Sequence, residues 1–269
     1  MGIIKKYVNM LASTDQQTLD KIKEYEKQGR FNDHLDTNPA PYIPVDKNFQ
    51  YIPKNVFKKL DYFFKRLFIV NRVEKGANKL FQTEVIGKEN IKGIKNAIVC
   101  CNHVNKLDCM VVRHALRPRK TYFTAAEFNN MKGFLGNMMR AGGLLPMSTN
   151  FSAQKNFFES VSKLLKNGNY ITFFPERAEW WGYEKPRPHE KGAYHIAVRN
   201  SVPVIPVFIT FRPTKDKAER ENGIKQFVVN ILKPIFPDGK ISDKENIDAM
   251  MKNCIEQYNQ CYEDFYNKK

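Results

Sequence analysis

The sequence predicts an α/β protein built on a mixed, mostly parallel sheet flanked by helices. Three observations carry that prediction. Short apolar segments bounded by turn residues recur at Ala97–Cys101, 170–174, 202–211 and 226–232. Between them, apolar residues recur three and four positions apart, the period of a helix buried on one side. The two patterns alternate along the chain, as they do when helical crossovers join parallel strands.

Taken in order, residues 13–29 are expected as an amphipathic helix. Ser13 or Thr14 caps it, Leu19, Ile22 and Tyr25 form its stripe, and Gly29 ends it. Residues 38–53 hold Pro39, Pro41, Pro44 and Pro53 and read as an extended connector, because proline removes the helical amide donor. Residues 1–56 thus form an N-terminal helical and proline-rich extension, and 57–269 the main domain.

That domain opens on a basic amphipathic helix at 57–72. Phe57, Leu60, Phe64, Leu67 and Phe68 share one face, and Lys58, Lys65, Arg66 and Arg72 lie mainly on the other. Seven basic residues against two acidic ones between 57 and 80 give this region +5. A helix of this kind lies in a membrane interface, packs on the domain with its lysines in water, or does both. Further helices are expected at 108–116, 152–166 and 190–200. The last runs over 243–267, with Ser242 and Glu245 spaced as a capping box.

Composition narrows the function classes. The 269 residues are 42% hydrophobic and 13% aromatic, which excludes a disordered or low-complexity chain. The net charge of +16 (44 Lys+Arg, 28 Asp+Glu) calls for an acidic partner: nucleic acid, anionic lipid, or a phosphorylated or acidic carrier. No apolar run approaches the ~20 residues that span a bilayer, and residues 1–6 do not read as a secretory signal. The five cysteines, Cys100, Cys101, Cys109, Cys254 and Cys261, read as reduced thiols of a cytosolic compartment. Cys101, His103 and Cys109 lack the second paired element that a zinc site needs. Glycine-rich nucleotide loops, a serine-hydrolase elbow and an RNA-binding aromatic run are all absent, so no nucleic-acid partner is expected.

Chemistry concentrates at 102–108, Asn102-His103-Val104-Asn105-Lys106-Leu107-Asp108, where a strand ends and a helix begins. A turn there can fold Asp108 onto one imidazole nitrogen of His103. The other nitrogen is then free to take a proton from a hydroxyl. The same spacing also suits a capping aspartate beside a structural histidine.

Three later segments complete a pattern: Phe174-Pro175-Glu176 after a strand, Lys191-Gly192-Ala193, and Val202-Pro203-Val204-Ile205-Pro206-Val207. In this order they resemble the PlsC-type lysophospholipid acyltransferases, over roughly residues 57–235. The resemblance implies the glycerolipid acyltransferase fold, with 57–269 as the acyltransferase domain. It implies that His103 is the general base, oriented by Asp108, and that the acceptor hydroxyl attacks an acyl thioester without an acyl-enzyme, metal or cofactor. Asn102, Phe174, Pro175, Glu176, Lys191, Gly192 and Pro206 are its expected binding-site residues. The implied partners are a lysophospholipid, first of all 1-acylglycerol-3-phosphate, with acyl-CoA or acyl-carrier protein, at the cytoplasmic face of an anionic membrane.

Two departures bear on the acceptor. The family commonly reads F-P-E-G-T-R, whereas Arg177, Ala178 and Glu179 follow Glu176 here. Thr149 stands near a second expected arginine, after Gly142-Gly143-Leu144-Leu145-Pro146-Met147-Ser148. Both arginines are thought to hold the acceptor phosphate, so Arg177 and Arg187, with Lys155, Lys185 or Lys191, are the substitute cations expected. Trp180-Trp181-Gly182-Tyr183 suits a lipid-headgroup interface or a packed loop. The alternatives are an acyltransferase for a glycolipid or aminolipid, and a non-catalytic basic protein that binds membrane or nucleic acid.

Overall fold

The computed structural model describes residues 16–35, 41–215, 217–221 and 223–267. Ser13 and Thr14, the expected caps of the first helix, and Pro39 lie outside the described residues. The helix itself, α1, is Gln16–Lys27. A connector without regular structure over most of 41–55 leads to α2 (Val56–Lys65), a π-helical turn (Arg66–Val70) and α3 (Asn71–Leu80), which run on without a break.

The remaining elements alternate: β1 (Glu84–Ile86), β2 (Ala97–Cys101), α4 (Asp108–Ala115), β3 (Thr121–Ala126), α5 (Gly133–Gly142), β4 (Leu144–Met147), α6 (Phe151–Lys166) and β5 (Tyr170–Phe173). Then come α7 (Gly192–Arg199), β6 (Val204–Pro213), α8 (Lys217–Glu221), β7 (Lys225–Ile231) and α9 (Asp243–Tyr266). The strands form one seven-stranded sheet in the order β1-β7-β6-β2-β5-β3-β4. Every pairing is parallel except β6 with β7. The mixed, mostly parallel sheet is therefore present.

Alternation along β2 divides the core. Ala97, Val99 and Cys101 join the side covered by α3 and α4. Ile98 and Cys100 join the side covered by α6, α7 and α9. Both faces of β2 are buried, as parallel strands under helices require. The Ser242–Glu245 capping box opens α9 as expected.

The π-turn changes which way the long helix faces. No residue of α2 is buried, and Phe57, Leu60, Phe63 and Phe64 lie open to solvent. One i→i+5 step, Asn71 N–H to Arg66 C=O, inserts an extra residue and rotates the apolar stripe. Beyond it Glu74, Ala77 and Leu80 turn inward. One side of α2 lies against α5, while its Phe57, Leu60, Phe63 and Phe64 side stays open to solvent.

Candidate active site

β2 is central, and the loop after its carboxyl end carries the candidate catalytic residues. Asn102 is buried and ties that end to β6. Its Nδ2 donates to the Ile209 carbonyl at 3.0 Å, and its Oδ1 accepts from the Ile209 amide at 2.7 Å. His103 comes next, and the chain turns back so that Asp108, the first residue of α4, faces it. Asp108 Oδ2 lies 3.0 Å from His103 Nδ1 and accepts from the amides of Val104 (2.7 Å) and Asn105 (2.9 Å). One carboxylate oxygen thus shapes the loop and holds the imidazole. The pairing leaves Nε2 for chemistry.

Phe174 stacks on the imidazole at 4.1 Å between centroids and 20° between planes. Glu179 Oε2 lies 3.7 Å from Nε2. Burial pushes the His103 pKa down, but the Asp108 hydrogen bond and the Glu179 and Asp108 charges outweigh it, and the pKa is raised. Burial raises both Asp108 and Glu179. Glu179 also accepts from Trp181 Nε1, and Lys106 sits 4.0 Å over the Trp181 ring.

Glu176 and Arg187 are brought close to the loop, but not as free groups. Glu176 is 1% exposed; its Oε2 accepts from the His103 amide at 3.1 Å and from Arg187 Nη2 at 2.7 Å. Arg187 is 2% exposed and also donates to the carbonyls of His103, Ala178 and Phe31. Its guanidinium is taken up by the protein, which corrects the expectation that it clamps a phosphate. Trp180 is likewise fully buried, against Tyr25, Phe31 and Arg187, and is no headgroup contact. Its Nε1 donates to the Asp33 carbonyl, so the segment after α1 backs the site.

Arg177 remains exposed. Its φ of 67° is the left-handed conformation that explains why the resemblance places glycine there. Of the other expected cations, Lys185 pairs with Glu26 and Lys191 with Asp248, each at 2.6 Å. Lys155 and Gly192 are exposed. No contact joins Lys191 or Gly192 to the imidazole. Pro175 and Pro206 both stand in the buried backbone frame. The Pro175 carbonyl accepts from Glu190, and Pro206 sits opposite Cys100 in the sheet.

Glu179 and Lys106 are the groups that reading from the sequence passed over. The one signal was Glu179 standing where the resemblance has arginine. Among the described residues no cluster of His, Cys, Asp and Glu is arranged to hold a metal.

A mixed, mostly parallel α/β sheet thus carries a His–Asp pair after its central strand, and the known proteins that this chain resembles are acyltransferases. The Acyltransferase family model matches residues 82–210. The chain is 28% identical over 167 residues to the 1-acyl-sn-glycerol-3-phosphate acyltransferase of Saccharomyces cerevisiae, covering 60% of this chain and 54% of that one. It is 26% identical over 166 residues to the protein of the same name from Escherichia coli, covering 59% and 64%. Less than two thirds of either relative is spanned. The crystal structure of PlsC, the 1-acyl-sn-glycerophosphate acyltransferase of Thermotoga maritima, shares the fold. Its TM-score is 0.53 at 20% identity, over 80% of this chain and 90% of that one.

Proposed function

We propose that this protein moves a fatty acyl group from an acyl thioester, acyl-CoA or acyl-carrier protein, to the free hydroxyl of a lysophospholipid, with 1-acylglycerol-3-phosphate the first candidate. The observation that carries the proposal is the His103 Nδ1–Asp108 bond, which leaves Nε2 as the base. Nε2 takes the hydroxyl proton as the oxygen attacks the thioester carbonyl. The C–S bond then breaks, and the imidazolium returns the proton to the departing thiolate. Asp108 fixes the tautomer and stabilises the imidazolium.

No acyl-enzyme is needed, and the adjacent thiols are poor nucleophiles. Burial raises Cys101 well above the usual thiol range and pushes Cys109 up to about 12. The thioester supplies its own leaving group, so the proposal includes no cofactor.

The enzyme is proposed to act as a peripheral protein at the cytoplasmic face of an anionic membrane. The exposed apolar side of α2, extended by Phe134 and Leu135 at the start of the neighbouring α5, supports that placement. Among the described residues no helix is long and apolar enough to cross a membrane.

A second reading differs only in the acceptor: a glycolipid or aminolipid in place of a phosphate monoester. Glu179 beside Nε2 favours it, because a carboxylate there repels phosphate, and Arg177 is the main expected cation left unpaired. One assay tests both readings. Release of free CoA is followed with 1-acylglycerol-3-phosphate and with amine- or sugar-headed acceptors. His103→Ala is expected to lose about 10²–10⁴-fold in rate on whichever acceptor is used; full activity in that variant sinks the mechanism. Arg177→Ala is expected to raise KM for the phosphate acceptor alone.

A further inference from the structure

At the π-turn lies a recess of about 240 Å³ with a strongly one-sided charge. Five of its lining residues are cations: Arg66, Arg113, Arg117, Arg119 and Lys120. Among the described residues the single carboxylate paired with them is Glu74, at 2.7 Å from both Arg113 and Arg117. Among the described residues, Arg66, Arg119 and Lys120 form no ion pair. Arg66 is the most telling of the three. Its Nε donates to the Ala141 carbonyl at 3.0 Å, and its guanidinium lies 5.7 Å from the Tyr122 ring, with no carboxylate to balance it. Lys120 sits over the same ring at 5.1 Å. A partly buried cation held by a carbonyl and an aromatic ring lacks an anion.

The rim indicates which kind of anion. Phe63 (58% exposed) and Leu67 (44%) line the same recess, beside exposed Phe64 and Phe68. Apolar chains can lie along these side chains while the cations meet a phosphate. That combination fits an amphiphile better than a soluble ion. Single π-turns often mark functional positions, and this one both places Arg66 and Leu67 at the recess and separates the exposed face from the packed one. Thr121, another lining residue, begins β3, whereas His103 follows the carboxyl end of β2. Since these strands run the same way, the recess lies at the opposite end of the sheet from the imidazole.

We propose that this recess is a binding site for the anionic headgroup phosphate of a membrane phospholipid, separate from the acyl-transfer centre. Arg66 and Lys120 contact the phosphate, with Arg119 beside them, and Phe63 and Leu67 cover the first part of the acyl chains. Arg113 and Arg117, already paired with Glu74, set the positive floor. The proposal stands whether or not the acyl-transfer reading does, because it concerns binding at the other end of the sheet.

The experiment is calorimetric titration of the full chain with dihexanoyl phosphatidylglycerol below its micelle concentration. Dihexanoyl phosphatidylcholine and inorganic phosphate serve as the other two probes. The expected result is saturable one-to-one binding of the phosphatidylglycerol, at least about tenfold tighter than either other probe. Arg66→Gln and Lys120→Gln each weaken it about tenfold, the scale of one charge-assisted hydrogen bond, whereas His103→Ala binds it unchanged. Lys120 is exposed, so its variant keeps the test open if Arg66→Gln fails to fold. Equal binding of both lipids overturns the proposal, as does undiminished binding in the Lys120 variant. Inorganic phosphate binding as tightly as the lipid makes this a free-ion site and overturns the lipid assignment. Loss of binding in His103→Ala places the lipid in the acyl-transfer centre and overturns it as well.

Discussion

His103 sits between two carboxylates, Asp108 at Nδ1 and Glu179 near Nε2. In the proposed mechanism His103 must be neutral to take the proton, so activity is expected to rise with pH through the His103 pKa, which is above the usual imidazole value. The charged groups facing the imidazole are Asp108 from α4, Glu179 and Arg187 from the loop after β5, and the more distant His34. Of these, Glu179 alone raises the pKa without also fixing the tautomer. Glu179→Gln removes a negative charge, stabilises the imidazolium less and lowers the pKa. The acid limb of the kcat/KM–pH profile is therefore expected to move to lower pH; an unmoved limb contradicts the assignment of Glu179 to Nε2. The His103–Asp108 pair was legible in the sequence because the two residues share one turn. The fate of Arg187 was not. Its charge is visible in the sequence, but its burial against Glu176 exists only once the loop has closed. Breaking a buried pair of this kind leaves an unpaired charge, a cost of about 3–5 kcal/mol.

At the scale of elements, strong periodicity gave α6, α9 and the long strands to within a few residues. β1, β3 and β4, with α3 and α5, were not read. The three strands are short, and β4 carries Pro146, which an edge strand tolerates because no neighbour needs its amide. The π-turn has no sequence signature here, and beyond it α3 packs on α4. Its consequence for α2 is testable. Leu60→Asp with Phe64→Asp is expected to lower binding to anionic vesicles by about tenfold or more, the scale of one lost large apolar contact. The melting temperature is expected to stay unchanged, since both residues are exposed, Leu60 at 48% and Phe64 at 51%. Undiminished co-sedimentation refutes α2 as the membrane face.

For the whole molecule, the informative contact is that of residues 16–35 with the loop carrying Trp180 and Arg187. Tyr25 and Phe31 pack on Trp180, and the carbonyls of Phe31 and Asp33 accept from Arg187 and Trp180. Deleting residues 1–35 is expected to expose Trp180, shifting tryptophan emission to the red, and to reduce acyl transfer together with thermal stability. A deletion variant with native emission and activity shows that the segment is dispensable. The +16 charge takes a sharper meaning at this scale, because part of the excess is gathered beside an exposed apolar helix. Local pattern, namely periodicity, a turn that joins His103 to Asp108, and a capping box, determined the fold class and the pairing of His103 with Asp108, because those interactions lie within a few residues of one another. Tertiary structure alone decided that Arg187 and Trp180 are interior, that Glu179 stands beside the base and that α2 is left uncovered. Burial and charge pairing there depend on which distant segments meet, and no local spacing encodes that.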